Sequence, residues 1–352
     1  MRVAAIDCGT NSLRLLVADV DPGAGRLTDV DRRMEIVRLG QGVDSTGRLA
    51  PEALERTLRS LRGYARIIGD RSAEAVRMVA TSATRDAANA ADFVRGVSGV
   101  LGLEPEVLSG EEEAYLSFVG ATAEFSASAG PSGVPGPSGA PGPSASGAPG
   151  PEGVGPYLVV DIGGGSTEFV VGDGPGTADR TPDDLTPGAV GPAGVSAVSV
   201  DIGCVRLTER HLHSDPPRPA EISAAAADID AALDAVALAI PVSAARTLVG
   251  LAGSVTTVAG LALGLGEYDS ARIHHARVSA EQVAAQTRRL LSQTREVRAA
   301  LGVMHPGRVD VIAGGAMVLD QIMRRFGFGE VLASEHDILD GIAWSLAAGV
   351  RQ

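Results

Sequence analysis

Residues 161–169 read DIGGGSTEF, and this stretch decides how the second half of the chain is interpreted. The segment YLVV at 157–160 and the segment EFVV at 168–171 both have the apolar pattern of short buried strands. The three glycines therefore predict a turn between two antiparallel strands. On the glycines alone, a tight turn with a bulge and a loop of backbone amides facing an anion are equally supported.

The same arrangement occurs at the start of the chain, where residues 3–17 read VAAIDCGTNSLRLLV. An apolar strand leads to Asp7, and Gly9, Thr10 and Ser12 precede a second apolar strand. Solenoid repeats recur at tens of residues, whereas these two copies stand about half a chain apart. We therefore predict two similar domains that face each other. Two anion-binding loops on opposite sides of a cleft would suit a phosphate chain.

Composition limits the classes of partner. The chain has 352 residues, enough for two domains, and a net charge of −13 with only 3% aromatic residues. Nucleic-acid readers use basic surfaces and aromatic platforms, so we expect no nucleic-acid or membrane partner. The beginning of the chain resembles a strand rather than a signal peptide, and the uncharged stretch 247–266 contains five glycines, typical of soluble core. We expect a cytoplasmic protein.

Each half begins with strands and continues with alternating helices and strands, which predicts an α/β domain with a mixed sheet. We expect a first domain over 1–125, a disordered Gly/Pro/Ser-rich insert over 126–156 and a second domain over 157–352. The last helix is expected to pack back on the first domain. A second Gly/Pro-rich stretch, 173–195, is expected to lengthen a hairpin.

Local patterns predict further elements that bear on the site. A helix is expected over 86–98, and a single long helix over 279–301. The small residues AGS at 252–254 follow a strand and predict a turn, which could admit a ligand or merely pack tightly.

Asp7 and Asp161 stand at equivalent strand ends. Mg²⁺ in proteins takes one or two carboxylates and keeps several waters, so these residues are natural ligands. The alternative for each is a turn residue that caps its own loop, and the repetition favours the metal. Phosphoryl transfer needs amides or cations on the phosphate oxygens and a group that orients the nucleophile.

Two further acidic or basic segments remain ambiguous from the residues alone. The acids at 111–113 are best explained as the first turn of a helix that Ser109 caps. For Arg85, a phosphate clamp and a surface residue at a helix start are equally supported.

The histidines show no helical zinc-pair spacing, so we expect them not to assemble into a site. All six are expected to be structural or surface residues: His211, His213, His274, His275, His305 and His336. The sequence contains no GxSxG or Walker A motif, which excludes serine hydrolases of that type and P-loop enzymes.

Taken in order, four segments resemble the exopolyphosphatase/guanosine pentaphosphate phosphohydrolase family, usually called Ppx/GppA. They are AAIDCGTNSLRLLV (4–17), ATSATRDAANAADFV (80–94), LSGEEEAYLSFVG (108–120) and LVVDIGGGSTEFVVG (158–172). Later segments are similar too, namely DIGCVRLTE (201–209), LAGSVTTVAG (251–260) and HPGRVDVIAGGAMVL (305–319). The resemblance covers nearly the whole chain apart from the inserts, and it is closest to the short, two-domain members.

The resemblance implies an actin-like fold, in which two ribonuclease H-like domains hold the site in the cleft between them. It implies that Glu113 is the candidate general base, that Glu168 helps to position the water, that Asp161 holds the metal and that Arg85 contacts phosphate. With Asp7 as the second metal ligand, the remaining phosphate-binding candidates are the two loops: Gly9, Thr10, Asn11, Ser12, Gly163, Gly164, Gly165 and Ser166.

The first hypothesis is therefore an Mg²⁺-dependent exopolyphosphatase that removes terminal orthophosphate from short inorganic polyphosphate, with Mn²⁺ as a substitute and a monovalent cation as a further ligand. A guanosine pentaphosphate 5′-phosphohydrolase would use the same chemistry. An actin-like kinase and a non-hydrolysing phosphate-ligand sensor are the alternatives from other classes. The family often dimerises, which adds a homodimer as an expectation.

Overall fold

The computed structural model describes residues 1–128, 154–174 and 194–349. Most of the expected insert at 126–156 and of the stretch 173–195 lies outside the described residues.

Two mixed sheets form the framework of the molecule. The first has the strand order β3-β2-β1-β4-β5 and contains β1 (Arg2–Cys8), β2 (Ser12–Asp21), β3 (Arg26–Ile36), β4 (Ala75–Ala80) and β5 (Glu106–Val107). The second has the order β10-β11-β9-β6-β7-β8 and contains β6 (Tyr157–Ile162), β7 (Thr167–Gly172), β8 (Ser196–Val200), β9 (Thr247–Leu251), β10 (Arg277–Ser279) and β11 (Glu330–Ala333).

Helices cover the sheets and connect their strands. Those of the first half are α1 (Val43–Thr46), α2 (Pro51–Asp70), α3 (Ser82–Arg85), α4 (Ala90–Leu101) and α5 (Gly110–Ser128). Those of the second half are α6 (Cys204–His211), α7 (Pro219–Ala239), α8 (Ala252–Ala262), α9 (Ser270–Ile273), α10 (Ala280–Ser292), α11 (Arg295–Ala299), α12 (Ile312–Phe326) and α13 (Ile338–Gly349).

The two sheets repeat one plan. In each, three sequential strands form an antiparallel meander, and a strand from later in the chain pairs parallel with the first of them. The innermost strands β1 and β6 are almost entirely buried, because they are covered on both faces and consist of continuous apolar residues up to the final acid. The predicted fold class, two ribonuclease H-like α/β domains, is confirmed.

Two helices pack on the sheet of the other half of the chain. Helix α5 follows the first sheet in sequence, but its Phe118 and Phe125 pack in one core with Val159 and Val170 of the second sheet. Helix α13 follows the second sheet, yet it packs in one core with β1 and β2 of the first. These two helices therefore connect the domains, because each packs on the sheet formed by the other half of the chain.

Glycines allow the two connecting helices to cross at close range. A Cβ at Gly120 of α5 would lie 1.8 Å from the backbone oxygen of Asp337, and a Cβ at Gly341 of α13 would lie 2.0 Å from the backbone oxygen of Leu116. Real atoms cannot approach so closely, so each helix fits against the backbone of the other only because these side chains are missing.

Three local predictions were wrong. Helix α4 begins at Ala90 rather than at Asp86, because residues 82–85 form a separate short helix. The long helix expected over 279–301 ends at Ser292, and Thr294 caps a new helix by accepting from the Val297 amide. The turn expected at 252–254 is instead the first turn of α8. Within the described ranges, the helices include none that is both long and apolar enough to span a bilayer.

We predict that Gly341→Ala destabilises the protein by more than about 3 kcal/mol, because the added methyl must push α13 away from α5. The matched control is Gly99→Ala in helix α4, where a Cβ would meet nothing within 4 Å. That change should stabilise the protein by up to about 1 kcal/mol through helix propensity. Urea unfolding of both variants measures the contrast, and equal effects would contradict the proposed close crossing.

Candidate active site

Two matching hairpin turns form the floor of the cleft. The amide of Gly9 donates to the Ser12 carbonyl at 3.0 Å, and the amide of Gly163 donates to the Ser166 carbonyl at 3.1 Å. Each turn follows a buried strand that ends in an aspartate-containing segment. The duplication expected from the sequence is thus present in the hydrogen bonding of the turns.

The register of the hairpins sets the charges at their base. Asp7 lies opposite Arg14 across β1 and β2, and Asp161 lies opposite Glu168 across β6 and β7. The position that carries a cation in the first hairpin therefore carries a second carboxylate in the other. The sequence analysis singled out Glu168 but missed Arg14, although both stand at the same spacing after their aspartates.

The glycines at 164 and 165 allow the two loops to pack closely against each other. A Cβ on Gly164 would lie 2.9 Å from Thr10 Cβ, and a Cβ on Gly165 would lie 2.7 Å from Thr10 Oγ1 and 2.6 Å from Ser82 Oγ. The second loop therefore seats its bare backbone directly against the first. No larger residue than glycine fits at either position without moving the loops apart.

The same loops also retain unused donors. In the described part of the chain, no hydrogen-bond acceptor lies opposite the backbone amides of Thr10, Asn11, Gly164 and Gly165. Successive free amides of this kind form an anion-binding concavity. The two interpretations of the glycines are therefore compatible, since close packing of the loops brings donors from both domains to one place.

A cavity of about 90 Å³ lies between the loops. This is room for a few water molecules. Ten of the predicted site residues line it: Asp7, Gly9, Thr10, Asn11, Ser12, Glu113, Asp161, Gly163, Gly164 and Ser166. The other three predicted residues, Arg85, Gly165 and Glu168, are not part of this lining.

Three buried carboxyl groups at or beside this cavity have raised pKa values. Burial and then the charge of Asp161 raise the pKa of Glu168 to about 8. Burial and then the charge of Asp337 raise the pKa of Asp161 to about 6. Burial and then the charge of Glu168 raise the pKa of Glu113 well above its usual range. Without a cation, like charges are therefore crowded here at a free-energy cost.

Hydroxyl and guanidinium groups hold these carboxylates in position. Ser117, one helical turn after Glu113, donates to Asp161 Oδ2 at 2.8 Å, and Ser199 donates to Glu168 Oε1 at 2.8 Å. Arg85 Nη1 lies 3.3 Å from Glu113 Oε2 and donates to the Leu108 carbonyl at 2.8 Å. Arg85 thus contacts the candidate base directly. Its predicted contact with a phosphate stays a prediction.

Arg14 bridges two acids from opposite ends of the chain. Its Nη2 donates to Asp7 Oδ2 at 2.7 Å, and its Nη1 donates to Asp337 Oδ2. Asp337 directly precedes α13, so this bridge fixes the helix to the site. Asp337 was not among the residues predicted for the site, because its role arises only when the last helix packs on the first sheet.

The donor set fits a magnesium ion. Asp7 Oδ1 is buried and has no hydrogen-bond partner, although Oδ2 of the same carboxylate is fully engaged by Arg14. Asp161 lies beside it in the lining of the same cavity. Oxygen ligands of this kind suit Mg²⁺, and a divalent cation would offset the crowding of negative charge.

A second cavity, of about 460 Å³, adjoins the first, since both are lined by Arg14, Met34, Ala252, Gly253 and Arg308. Arg308 was not singled out from the sequence beyond its HPGR segment. Its Nη1 donates to Thr257 Oγ1 at 3.2 Å, and among the described residues no carboxylate lies within ion-pair distance of it.

The start of α8 explains how Arg308 reaches both cavities. A Cβ on Gly253 would lie 2.3 Å from the Arg308 guanidinium, so the guanidinium lies flat on bare backbone. Ala252 adopts φ 65°, a left-handed conformation that costs a non-glycine residue energy. The small residues of AGS thus serve tight packing beside a ligand site, which unites the two interpretations of that segment.

Ion pairs join the two sides of the cleft. Arg206 of α6 contacts Asp44 of α1 at 2.9 Å, and Arg210 contacts the same Asp44 at 2.7 Å. On the other side, Arg38 contacts Asp310 at 2.9 Å. These pairs join residues of the two domains, and helix α6, which carries two of them, was not predicted from the sequence.

The prediction that the histidines do not assemble was wrong for three of them. His274, His275 and His336 surround Glu124 of helix α5, outside the lining of the small cavity. The fold brings the turn after α9 and the loop before α13 to one place, which spacing in sequence does not reveal.

Comparison with known proteins agrees with these features. The family model described as the Ppx/GppA phosphatase family matches residues 16–133 and 152–348. Exopolyphosphatase 2 of Mycobacterium tuberculosis is 46% identical over 357 residues, covering 98% of each chain.

Solved structures show the same relationship. The crystal structure of an exopolyphosphatase-like protein superposes with a TM-score of 0.83 at 38% identity and covers 99% of this chain and 100% of that one. A Ppx/GppA family member from Aquifex aeolicus superposes with a TM-score of 0.72 at 27% identity, covering 100% and 99%. With its two ribonuclease H-like sheets, its paired glycine turns and its SGEEEA helix, this chain belongs to the Ppx/GppA phosphatase family.

Proposed function

We propose that the protein is an exopolyphosphatase that hydrolyses the terminal phosphoanhydride bond of inorganic polyphosphate and releases orthophosphate. The observation that carries the proposal is the meeting of free amides from two loops with the carboxylate of Glu113 around one small cavity, and Glu168 is close enough to Glu113 to raise its pKa. Donors for a phosphoryl group and a candidate base for water stand side by side there. The 46% identity to a protein named exopolyphosphatase 2 supports the same activity.

In the proposed step, the oxygen of a water molecule attacks the terminal phosphorus in line with the bridging oxygen. The bond between phosphorus and that bridging oxygen breaks, and its electron pair leaves with the shortened chain. Glu113 takes the proton of the water, and Glu168 orients it. The free amides of Thr10, Asn11 and Gly164 stabilise the charge on the phosphoryl oxygens.

Asp7 and Asp161 would hold the magnesium ion. When bound, the ion supplies positive charge to the phosphate oxygens and lowers the pKa of the carboxyl groups around it. The chain's own residues orient these two carboxylates. Arg14 donates to Asp7, and Ser117 donates to Asp161.

The second cavity suits the remainder of a short polyphosphate chain. It is lined by four arginines, Arg14, Arg32, Arg33 and Arg308, and it opens from the cavity where the terminal group would sit. Arg32 and Arg33 already pair with acids, whereas Arg308 contacts only a hydroxyl and a thioether in the described structure. We assign Arg308 to the penultimate phosphates for this reason.

The direct test is phosphate release by the purified protein with Mg²⁺. Short polyphosphate, long polyphosphate, guanosine pentaphosphate and ATP are compared at equal concentration of terminal phosphate. We expect the highest kcat/KM for short polyphosphate. A preference for guanosine pentaphosphate would assign the protein to the other activity of its family, and an absence of release from all four would contradict hydrolysis.

We predict that Glu113→Gln lowers kcat by roughly 10² to 10⁴-fold with little change in KM, because the amide cannot accept the proton of the attacking water. The matched control is Glu111→Gln, two residues earlier on the same helix and exposed, which should keep its turnover. Full turnover by the Glu113 variant would show that another group is the base.

For Arg308→Gln we predict a KM for short polyphosphate that is about tenfold higher or more, since charge-assisted hydrogen bonds to phosphate are lost. Arg325→Gln is the control, because Arg325 pairs with Asp234 and lines neither cavity. An unchanged KM in the Arg308 variant would remove this residue from substrate binding.

The raised carboxyl pKa values predict a pH dependence of stability in the absence of metal. The pKa of Glu168 is about 8 when folded and 4.5 when unfolded, so its contribution is present at low pH and is lost as pH rises from 4.5 to 8. In chelator, the wild type should lose about 4 kcal/mol more over this window than Glu168→Gln.

Urea unfolding at several pH values measures this difference, and Mg²⁺ should restore stability at the upper end. Glu281→Gln, which removes an exposed carboxylate on α10, serves as the control and should follow the wild type. Identical pH profiles for the wild type and Glu168→Gln would refute the crowding of charge at the site.

A further inference from the structure

Outside the cleft, four side chains from three separate segments meet at one point. Glu124 comes from α5, His274 and His275 from the turn after α9, and His336 from the loop before α13. Glu124 Oε2 lies 3.0 Å from His274 Nε2 and 3.6 Å from His275 Nε2, and Glu124 Oε1 lies 3.1 Å from His336 Nδ1. The proposed hydrolysis uses none of these groups.

We propose that Glu124, His274 and His336 bind a structural Zn²⁺ ion, with His275 placed for a fourth position. One ligand atom from each of the first three residues lies within 4.8 Å of the other two. Two ligands about 2.0–2.1 Å from a tetrahedral zinc ion stand about 3.4 Å apart. The distances from Glu124 to the three imidazoles bracket this separation.

The backbone brings adjacent histidines to the same side. In an extended strand, the side chains of neighbouring residues point to opposite faces. His275 instead adopts φ 61°, in the left-handed region that non-glycine residues rarely enter, and both rings face Glu124. Such a conformation persists only where surrounding structure holds it, and it occurs often at ligand sites.

One ring nitrogen in the cluster has no hydrogen-bond partner. His275 Nε2 is buried and unpaired in the described structure. An imidazole nitrogen without a hydrogen-bond partner is available to a metal ion.

The chemistry of the ligands selects the metal. Imidazole nitrogen with carboxylate oxygen suits Zn²⁺, whereas the all-oxygen donors of the cleft suit Mg²⁺. The two sites therefore sort by cation, and excess Mg²⁺ fills one without filling the other. The side chains of Glu124, His274 and His336 are 41%, 22% and 28% exposed, so an ion can enter from solvent.

Binding replaces hydrogen bonds of His274, including the one at 3.0 Å between its Nε2 and Glu124 Oε2. The backbone amide of Glu335 donates to His274 Nδ1 at 3.1 Å, which places the proton of the neutral ring on Nε2. A zinc ion on Nε2 requires that proton to move to Nδ1, so the amide contact is given up. The amide signal of Glu335 consequently reports on metal binding.

The position of the site gives the ion a structural role. His336 directly precedes Asp337, whose carboxylate is held by Arg14 at the active site. Glu124 lies on α5, the helix that also carries Glu113 and Ser117. A zinc ion here would clamp the loop before α13 to the helix that supplies the candidate base.

The test is zinc titration of the chelator-stripped full chain in excess Mg²⁺, read by bound-metal analysis and by the nuclear magnetic resonance signal of the Glu335 amide. We expect one zinc equivalent per chain and a shift of that signal. Glu124→Gln and His336→Ala should weaken binding by at least roughly a hundredfold, more than outer-shell changes cost. His213→Ala, at an exposed histidine outside the cluster, should bind zinc like the wild type.

Each other outcome would overturn the proposal. No zinc bound by the wild type in excess Mg²⁺ would exclude the site. Full zinc binding by both cluster variants would place the ion elsewhere. Loss of zinc binding in Asp161→Asn, with binding kept in the cluster variants, would place the ion in the cleft. Glu124→Gln preserves the shape of the side chain, and circular dichroism of the zinc-free variants checks that they fold.

Discussion

The burial of like charges at the junction of the two domains is the constraint on which the site depends. Glu113, Asp161 and Glu168 come from a helix and a hairpin, and burial together with the charge of nearby carboxylates raises the pKa of each. Such a cluster is costly unless a cation neutralises it. The protein supplies Arg14 and Arg85 at its edges, and the magnesium ion and substrate phosphates proposed above would complete the balance.

Duplication of one hairpin provides the geometry for that balance. Both turns close with the same amide-to-carbonyl bond and both offer free amides, so each domain contributes donors to the proposed phosphate site. Their difference lies seven residues after each aspartate, where the first hairpin has Arg14 and the second has Glu168. The first turn therefore anchors the last helix through Asp337, while the second turn carries Glu168, the group proposed above to position water.

Much of this could be predicted from the sequence, because strand patterns and glycine turns are local signals. The hairpins, the two-domain architecture and nine of the ten predicted cavity residues follow from segments that are continuous in sequence, whereas Glu113 was assigned through the family resemblance. Asp337 and the histidine cluster could not be predicted, since each depends on α5 and α13 packing on the sheet of the other half. Arg308 could not be predicted because it meets the start of α8 and Met34 of β3 only in the folded chain. The break near Thr294 was missed because a capping threonine also occurs inside helices.

The most direct test of the central claim is infrared spectroscopy of the buried carboxyl groups at neutral pH, with and without Mg²⁺. We expect a protonated carboxyl band in metal-free protein that is weakened in Glu168→Gln, because the pKa of Glu168 is about 8. We also expect Mg²⁺ to remove this band by ionising the cluster. A fully ionised cluster in the absence of metal would show that like charges are not crowded at the site.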